Sequence, residues 1–128
     1  MASRPKQAEP RPTPRLYLVT PPVADAAAFA APLAEALAAG DAAAVLLRLT
    51  GADERRLINV AKTLGPVAQN KDVALLLDGH ADLVARAGCD GAHLTGLDDF
   101  NAAIATLKPD RIAGVGGLTS RHDAMTAA

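Results

Sequence analysis

Aromatic residues and cysteine are both scarce in this 128-residue sequence, which has no tryptophan, one tyrosine, two phenylalanines and one cysteine. The lone Cys89 excludes an internal disulfide, and no cysteine and histidine cluster has the spacing of a metal site, which favours a reducing, cytoplasmic setting. With 13 basic and 14 acidic residues and no basic stripe, a nucleic-acid partner is not expected. No apolar run reaches the roughly 18 residues of a membrane helix, so we expect no membrane association.

Residues 1–15 differ in composition from the rest of the chain. They contain four prolines and four basic residues, a composition that cannot bury apolar area and is typical of an extended, solvated segment. Half of the whole sequence is hydrophobic and 21% is charged, which is ordinary for a globular protein. We therefore predict a disordered Pro/Arg-rich tail over residues 1–15 and one folded domain over residues 16–128.

Short apolar runs alternate with helical stretches along the predicted domain. The runs are Leu16–Thr20, Ala43–Leu49, Val73–Leu77, Gly91–Leu94 and Arg111–Val115. This alternation predicts an α/β fold with a parallel sheet. A closed (β/α)8 barrel needs upwards of roughly 200 residues, so about five β/α units predict a partial TIM barrel.

Helix start and stop signals separate these runs. We predict five helices, which begin after Asp25, after Asp53, at Ala81, after Asp98 or Asp99, and after Thr119 or Ser120. The second helix is expected to stop before Gly65-Pro66, where a further turn could follow, and Gly88 is expected to close the third.

Polar residues that follow the strands are the first candidates for chemistry, because ligands of parallel α/β folds bind where strands end. These residues are Thr20, Arg48, Asp78, Thr95, Asp98 and Gly116. His93 lies within a strand beside apolar neighbours, where a hydrogen-bonded core histidine is the expected role.

Several segments resemble thiamine phosphate synthases, in the right order along residues 16 to about 126. They are Leu-Tyr-Leu-Val-Thr-Pro at Leu16, Leu-Leu-Arg ending at Arg48, the segment Gly88–Leu94, and Ile-Ala-Gly-Val-Gly at Ile112. The Gly-Cys-Asp-Gly-Ala-His-Leu of Gly88–Leu94 is similar to the Gly-Ala-Asp-Gly-Val-His-Leu of that family and is the most specific match. The resemblance implies a TIM barrel and a role in thiamine biosynthesis.

The activity implied by the resemblance is a transferase that joins an aminopyrimidine diphosphate to a thiazole phosphate, releases pyrophosphate and uses Mg²⁺. Its small phosphorylated substrates would contact Arg48, Thr20, Thr95 and Gly116. The family's Asn-Asp-Arg after the third strand matches Asp78-Gly79-His80 here, its Gly-Gln-Glu-Asp after the fourth matches Thr95-Gly96-Leu97-Asp98, and its serine after the fifth matches Gly116. Asp98 and Asp78 are then the candidate Mg²⁺ ligands.

Arg48 interrupts an apolar run, and an unpaired buried guanidinium is costly, so it requires either a bound phosphate or an ion pair with Asp78. Asp78 and Asp98 end neighbouring strands and could share a hard cation completed by diphosphate oxygens and water, although Asp98 could equally cap a helix. The sequence leaves both choices open: phosphate or Asp78 as the partner of Arg48, and a cation ligand or a helix cap as the role of Asp98.

The family's later strands fall beyond Ala128, so we expect a divergent, C-terminally truncated relative, and the sequence leaves open whether this chain is active alone. Two alternatives are a non-catalytic phosphate-ligand binding or assembly protein and a thiazole tautomerase-like isomerase, whose third strand ends Asn-Gly, close to Asp78-Gly79. Exposed edges at the first and fifth strands predict a homo-oligomer.

Overall fold

Five parallel strands follow one another across a single sheet in chain order. The computed structural model describes residues 13–128, so most of the tail predicted over residues 1–15 lies outside the described residues. The strands are β1 (Leu16–Val19), β2 (Ala42–Leu47), β3 (Ala74–Asp78), β4 (Gly91–Thr95) and β5 (Ile112–Gly116). The predicted parallel α/β architecture is confirmed, because each apolar run forms a strand.

A helix follows every strand. The helices are α1 (Ala26–Ala38), α2 (Glu54–Gln69), α3 (Val84–Ala87), α4 (Leu97–Leu107) and α5 (Arg121–Ala127), with a 3₁₀ turn at Ala81–Leu83 before α3. Within residues 13–128, no helix combines the length and apolar character needed to cross a membrane.

Most of the predicted helix caps are confirmed. The Asp25 carboxylate accepts from the Ala28 N–H at 3.2 Å, that of Asp53 accepts from the Arg55 N–H at 3.1 Å, and the Ser120 hydroxyl accepts from the Asp123 N–H at 3.0 Å. These contacts satisfy N–H groups that a first helical turn leaves without partners. Gly88, with φ of 70°, closes α3 as expected.

Two helix predictions were wrong. Gly96, with φ of 85°, precedes α4 directly after β4, so Asp98 and Asp99 lie in the first turn of that helix and do not cap it. Helix α2 continues through Pro66 to Gln69. Proline removes one helical hydrogen bond, but the buried residues Leu64 and Ala68 on either side of it hold this face of α2 in the core.

The core lies between the helices and one face of the sheet. Val45, Leu47, Leu75 and Leu77 alternate along β2 and β3, are fully buried, and pack with apolar residues of the helices. The intervening strand residues therefore face the other side of the sheet. We call that other side the concave face.

The sheet curls around its concave face. The rings of Tyr17 on β1 and His93 on β4 have centroids 6.2 Å apart, although β2 and β3 lie between those strands. In a flat sheet, three strand spacings would separate them by roughly 14 Å. The five units therefore form a curled half-barrel, which confirms the predicted partial barrel.

Candidate functional site

Four side chains with hydrogen-bonding groups lie close together on the concave face of the sheet. They are Tyr17, Arg48, Asp78 and His93, and we call them the concave cluster. Asp78 and His93 are directly opposite each other on β3 and β4, and Arg48 follows a β2 residue that pairs with the residue before Asp78. Because parallel strands end at one rim, Arg48 and Asp78 lie together there. Tyr17 and His93 lie within β1 and β4, and the curl of the sheet brings their rings together.

Arg48 and Asp78 form a long ion pair. The distance from Arg48 Nε to Asp78 Oδ2 is 3.7 Å, and the two side chains are 47% and 38% exposed. This separation is too long for a hydrogen bond, and such half-exposed pairs are weak. The ion-pair alternative is therefore present, but the premise of a buried guanidinium was wrong, because Arg48 lies one residue beyond the end of β2.

The Thr20 side chain forms a hydrogen bond with the backbone of Arg48. The Thr20 side chain is buried, and its hydroxyl accepts from the Arg48 N–H at 3.0 Å and donates to the Pro21 carbonyl at 2.8 Å. Its only proton is therefore used within the protein. The structure gives Thr20 a role in fixing the start of the loop that carries Arg48.

His93 lies across β5 at a place where two glycines leave room for its ring. A Cβ atom built on Gly116 would stand 2.7 Å from His93 Nε2, and one built on Gly114 would stand 3.0 Å from Nδ1. The half-buried ring makes no hydrogen bond to any other residue in 13–128. The expectation of a hydrogen-bonded core histidine was therefore wrong, because β5 offers a bare backbone where a partner side chain would stand.

Tyr17 completes the concave cluster from the far side. Its ring meets that of His93 edge to face, at an interplanar angle of 63°. Burial raises the pKa of the Tyr17 hydroxyl, and the nearby negative charge of Asp78 raises this pKa further. The hydroxyl therefore stays protonated at neutral pH and remains a hydrogen-bond donor. Sequence reasoning missed Tyr17 as a site residue, and its only signal was its place in the first strand.

A separate groove of about 450 Å³ lies where β4 and β5 end. Its lining includes Thr95, Gly96, Asp98, Asp99, Gly117 and Asp123. The Gly116 carbonyl accepts from the Gly96 N–H at 2.8 Å at this edge. Asp98 thus lines this groove on α4, whereas Asp78 belongs to the concave cluster.

The candidate metal ligands do not form a closed site by themselves. Across the part of the chain that the structure describes, no three His, Cys, Asp or Glu side chains come close enough to hold a metal ion. Magnesium in phosphate-transfer sites usually takes one or two carboxylates and completes its shell with phosphate oxygens and water. Asp78 and Asp98 lie in different parts of this edge of the sheet, and neither belongs to a preformed metal site within residues 13–128.

Comparisons with known proteins agree with one another. A family model described as thiamine monophosphate synthase matches residues 16–128. A thiamine-phosphate synthase of Rhodospirillum centenum is 46% identical over 115 residues, which cover 88% of this chain and 55% of that protein. Its counterpart in Hyphomonas neptunium is 42% identical over 127 residues, which cover 94% and 57%.

A solved structure shares the fold. A thiamine phosphate pyrophosphorylase from Pyrococcus furiosus superposes with a TM-score of 0.67 at 22% identity, over 88% of this chain and 54% of that chain. The present chain therefore spans about half the length of the relatives that it matches. None of these matches is described as a tautomerase or a non-catalytic binding protein.

Proposed function

This chain belongs to the thiamine monophosphate synthase family, and on that premise we propose that it supplies the diphosphate-binding part of a thiamine phosphate synthase-like transferase. The reaction joins an aminopyrimidine diphosphate to a thiazole phosphate and releases pyrophosphate. The observation that carries the proposal is the long Arg48–Asp78 pair, which leaves guanidinium N–H groups available to phosphate oxygens.

Arg48 would act by holding and stabilising the diphosphate. Negative charge develops on that group as its bond to the aminopyrimidine carbon breaks, and a positioned guanidinium stabilises such charge. Thr20 contributes by tying the Arg48 backbone to the end of β1. The exposed Thr95 and the glycine at Gly116 lie on the same rim, where a hydroxyl donor and an open backbone suit a phosphorylated substrate.

Magnesium fits this proposal as an ion shared with the substrate. Asp78 and Asp98 would each offer a carboxylate, and the diphosphate and water would provide the remaining oxygens. When bound, the ion would neutralise charge on the departing pyrophosphate. The chain's own contribution is to hold the Asp78 carboxylate beside the cationic side chain of Arg48, while Asp98 lines the neighbouring groove where β4 and β5 end.

Features of the sheet edges and of the single cysteine support a homo-oligomer in a cytoplasmic setting. β1 and β5 each leave one strand edge without a partner strand among the described residues, and Val19 and Ile112 on these strands are 59% and 45% exposed. Covering such edges is a common reason for association, which supports a homo-oligomer. The single, buried Cys89 supports a cytoplasmic setting.

Isothermal titration with pyrophosphate tests the phosphate site in the chain as it stands. We expect Mg²⁺-dependent heat that weakens at least about tenfold in Arg48→Ala, the loss typical of a charge-assisted hydrogen bond. Arg55→Ala is the matched control, because Arg55 is an exposed arginine on α2, outside the concave cluster. Equal losses in both variants, or binding indifferent to Mg²⁺ and to Arg48, would overturn the proposal.

Formation of thiamine phosphate tests the transferase step itself. The chain is incubated with the aminopyrimidine diphosphate, thiazole phosphate and Mg²⁺, and released pyrophosphate is measured. We expect release that requires both substrates and falls in Arg48→Ala but not in Arg55→Ala. Pyrophosphate binding without any such release would assign the chain to phosphate binding instead of transfer.

A further inference from the structure

We propose that the segment between β1 and α1, residues Thr20–Val23, positions Arg48 for its ligand, and we call it the exit segment. This inference rests on the proposed function, because it concerns how the guanidinium is held for the diphosphate. The exit segment acts on the ligand only through the backbone of Arg48. Its two ends, Thr20 and Val23, are therefore positioning residues.

Arg48 needs such support because the regular sheet ends before it. β2 stops at Leu47, and Arg48 is the next residue. Within residues 13–128, its guanidinium makes no hydrogen bond and has only the 3.7 Å ion pair with Asp78. A weak, half-exposed pair does little to fix a long side chain. The backbone of Arg48 is thus the part of the residue that the protein can hold in place.

The Thr20 hydroxyl takes the place of a backbone carbonyl in the β1–β2 ladder. The Thr20 N–H donates to the Leu46 carbonyl at 3.0 Å, which continues the pairing beyond β1. In a regular parallel ladder, the Thr20 carbonyl would then accept from the Arg48 N–H. Here the hydroxyl accepts that bond at 3.0 Å and donates its own proton to the Pro21 carbonyl at 2.8 Å. The chain therefore leaves the ladder at Pro21 while the Arg48 N–H keeps a partner.

Val23 holds the carbonyl side of Arg48. The Val23 N–H donates to the Arg48 carbonyl at 2.8 Å, and the Val23 carbonyl accepts from the Thr50 N–H at 3.2 Å. These bonds form an isolated parallel bridge between Val23 and Leu49. The Val23 side chain is buried in the core, which anchors this end of the exit segment. Both hydrogen-bonding groups of the Arg48 backbone are thus held by the exit segment.

A fixed backbone favours binding of an anion by Arg48. A long side chain loses conformational freedom when it binds, and the loss is smaller when its backbone is already held. Pro21 and Pro22 add to this rigidity, because their rings lock two φ angles of the exit segment at about −65°. Thr20 is the residue to test, because Thr20→Val keeps the shape of the side chain but leaves the Arg48 N–H without its acceptor.

A double-mutant cycle on pyrophosphate binding tests the positioning role. Affinity is measured by titration calorimetry with Mg²⁺ present. We expect Thr20→Val to weaken binding about fivefold, the effect of losing one neutral hydrogen bond, and Thr20→Ser to bind as the wild type does. In the Arg48→Ala background, Thr20→Val should cause no further loss. The same loss in both backgrounds, or a loss in Thr20→Ser equal to that in Thr20→Val, would overturn the inference.

Two control variants separate positioning from a general loss of stability. Val73→Ala shortens a buried side chain at the amino end of β3, so it should lower the urea midpoint but leave pyrophosphate affinity unchanged. Thr63→Val is the matched threonine control, because the Thr63 hydroxyl donates to the Asn59 carbonyl on the exposed side of α2. A loss of affinity in Val73→Ala as large as that in Thr20→Val would overturn the positioning role.

Hydrogen exchange of the Arg48 amide gives a readout that needs no ligand. In the wild type this exchange should be slow, because the N–H is bonded to a buried hydroxyl. Thr20→Val should speed it by about tenfold while the Leu77 amide, in the core of β3, keeps its rate. Fast exchange at Arg48 in the wild type would overturn the inference without any variant.

Pyrophosphate binding also distinguishes this inference from the proposed function. If Arg48→Ala weakens binding while Thr20→Val leaves it unchanged, the diphosphate role of Arg48 stands and only the positioning role fails. If Arg48→Ala leaves binding unchanged, the proposed function fails, and the positioning role fails with it.

Discussion

Polar groups at the two ends of the sheet differ in how fully they are hydrogen-bonded within the protein. At the amino end of β4, the Asp90 carboxylate accepts from the Leu75 N–H at 2.8 Å and from the Gln69 amide at 3.1 Å. Gln69 also donates to the Gly88 carbonyl, and Arg111 donates to that of Cys89, both at 2.9 Å. Each of these groups has a close partner within the protein.

Towards the carboxyl end, Thr20 is fully hydrogen-bonded, but the side chains of the concave cluster are only loosely paired. Arg48 and Asp78 are 3.7 Å apart, and the His93 ring has no hydrogen bond within residues 13–128. An unpaired polar group is costly where it is buried, but these side chains are partly exposed, so their cost is small. Polar residues at the amino end thus stabilise the fold, whereas those of the concave cluster remain available to a ligand. This division is typical of β/α barrels.

Removing the Asp90 carboxylate should have the largest effect on stability. Asp90→Ala leaves a backbone N–H and a side-chain amide without their acceptor, so we expect the free energy of unfolding to fall by about 1–3 kcal/mol. Urea denaturation followed by circular dichroism measures the change. Asp110→Ala, an exposed aspartate at the same end, is the control and should shift the free energy by less than about 0.5 kcal/mol. Equal free energies of unfolding for Asp90→Ala and Asp110→Ala would contradict the claim that the hydrogen bonds at the amino end of the sheet stabilise the fold.

Removing Arg48 should affect stability much less. A half-exposed ion pair contributes about 0–1 kcal/mol, so Arg48→Ala should unfold within about 1 kcal/mol of the wild type in the same urea experiment. The variant would nevertheless lose pyrophosphate binding, which separates function from stability at this end. A loss of stability as large as that of Asp90→Ala would mean that the Arg48 pair is a structural element.

The segment Gly88–Leu94 shows how far the sequence could predict the fold. A glycine after a short helix indicated its end, and Gly88 does close α3. Position 91 requires glycine because a Cβ atom there would collide with the Ile112 carbonyl oxygen of β5. This requirement was not predictable, because Ile112 lies 21 positions later in the chain. The role of Asp90 likewise depends on the register of β3 and β4. Local chemistry was visible in the sequence, and contacts between strands were not.

The contacts of the candidate site likewise include some that the sequence could predict and some that it could not. Arg48 and Asp78 were predictable as neighbours, because parallel strands end at one rim. The contact of Tyr17 with His93 was not, because it depends on how strongly the sheet curls across four strands. The proposed partnership of Asp78 and Asp98 assumed that Asp98 lies at a strand end, whereas α4 begins at Leu97 and carries Asp98 on its first turn.

The smallest expected effect is on the titration of Tyr17. The chain has one tyrosine and no tryptophan, so the ultraviolet absorbance of tyrosinate reports this residue alone. In the folded chain, burial first and the Asp78 charge second raise its pKa above the ordinary 10.0. Asp78→Asn should lower this pKa, yet leave it above the ordinary value, because burial remains.

The raised pKa of Tyr17 also determines how the free energy of unfolding changes at alkaline pH. A raised pKa in the folded state means that the unfolded chain loses the Tyr17 proton first. The stabilisation is therefore complete below pH 10.0 and is lost as the pH rises through the folded-state pKa. The loss should be smaller in Asp78→Asn, as measured by urea denaturation over this range. Identical Tyr17 titrations in the two proteins would place Asp78 too far from Tyr17 for the concave cluster to act as one unit.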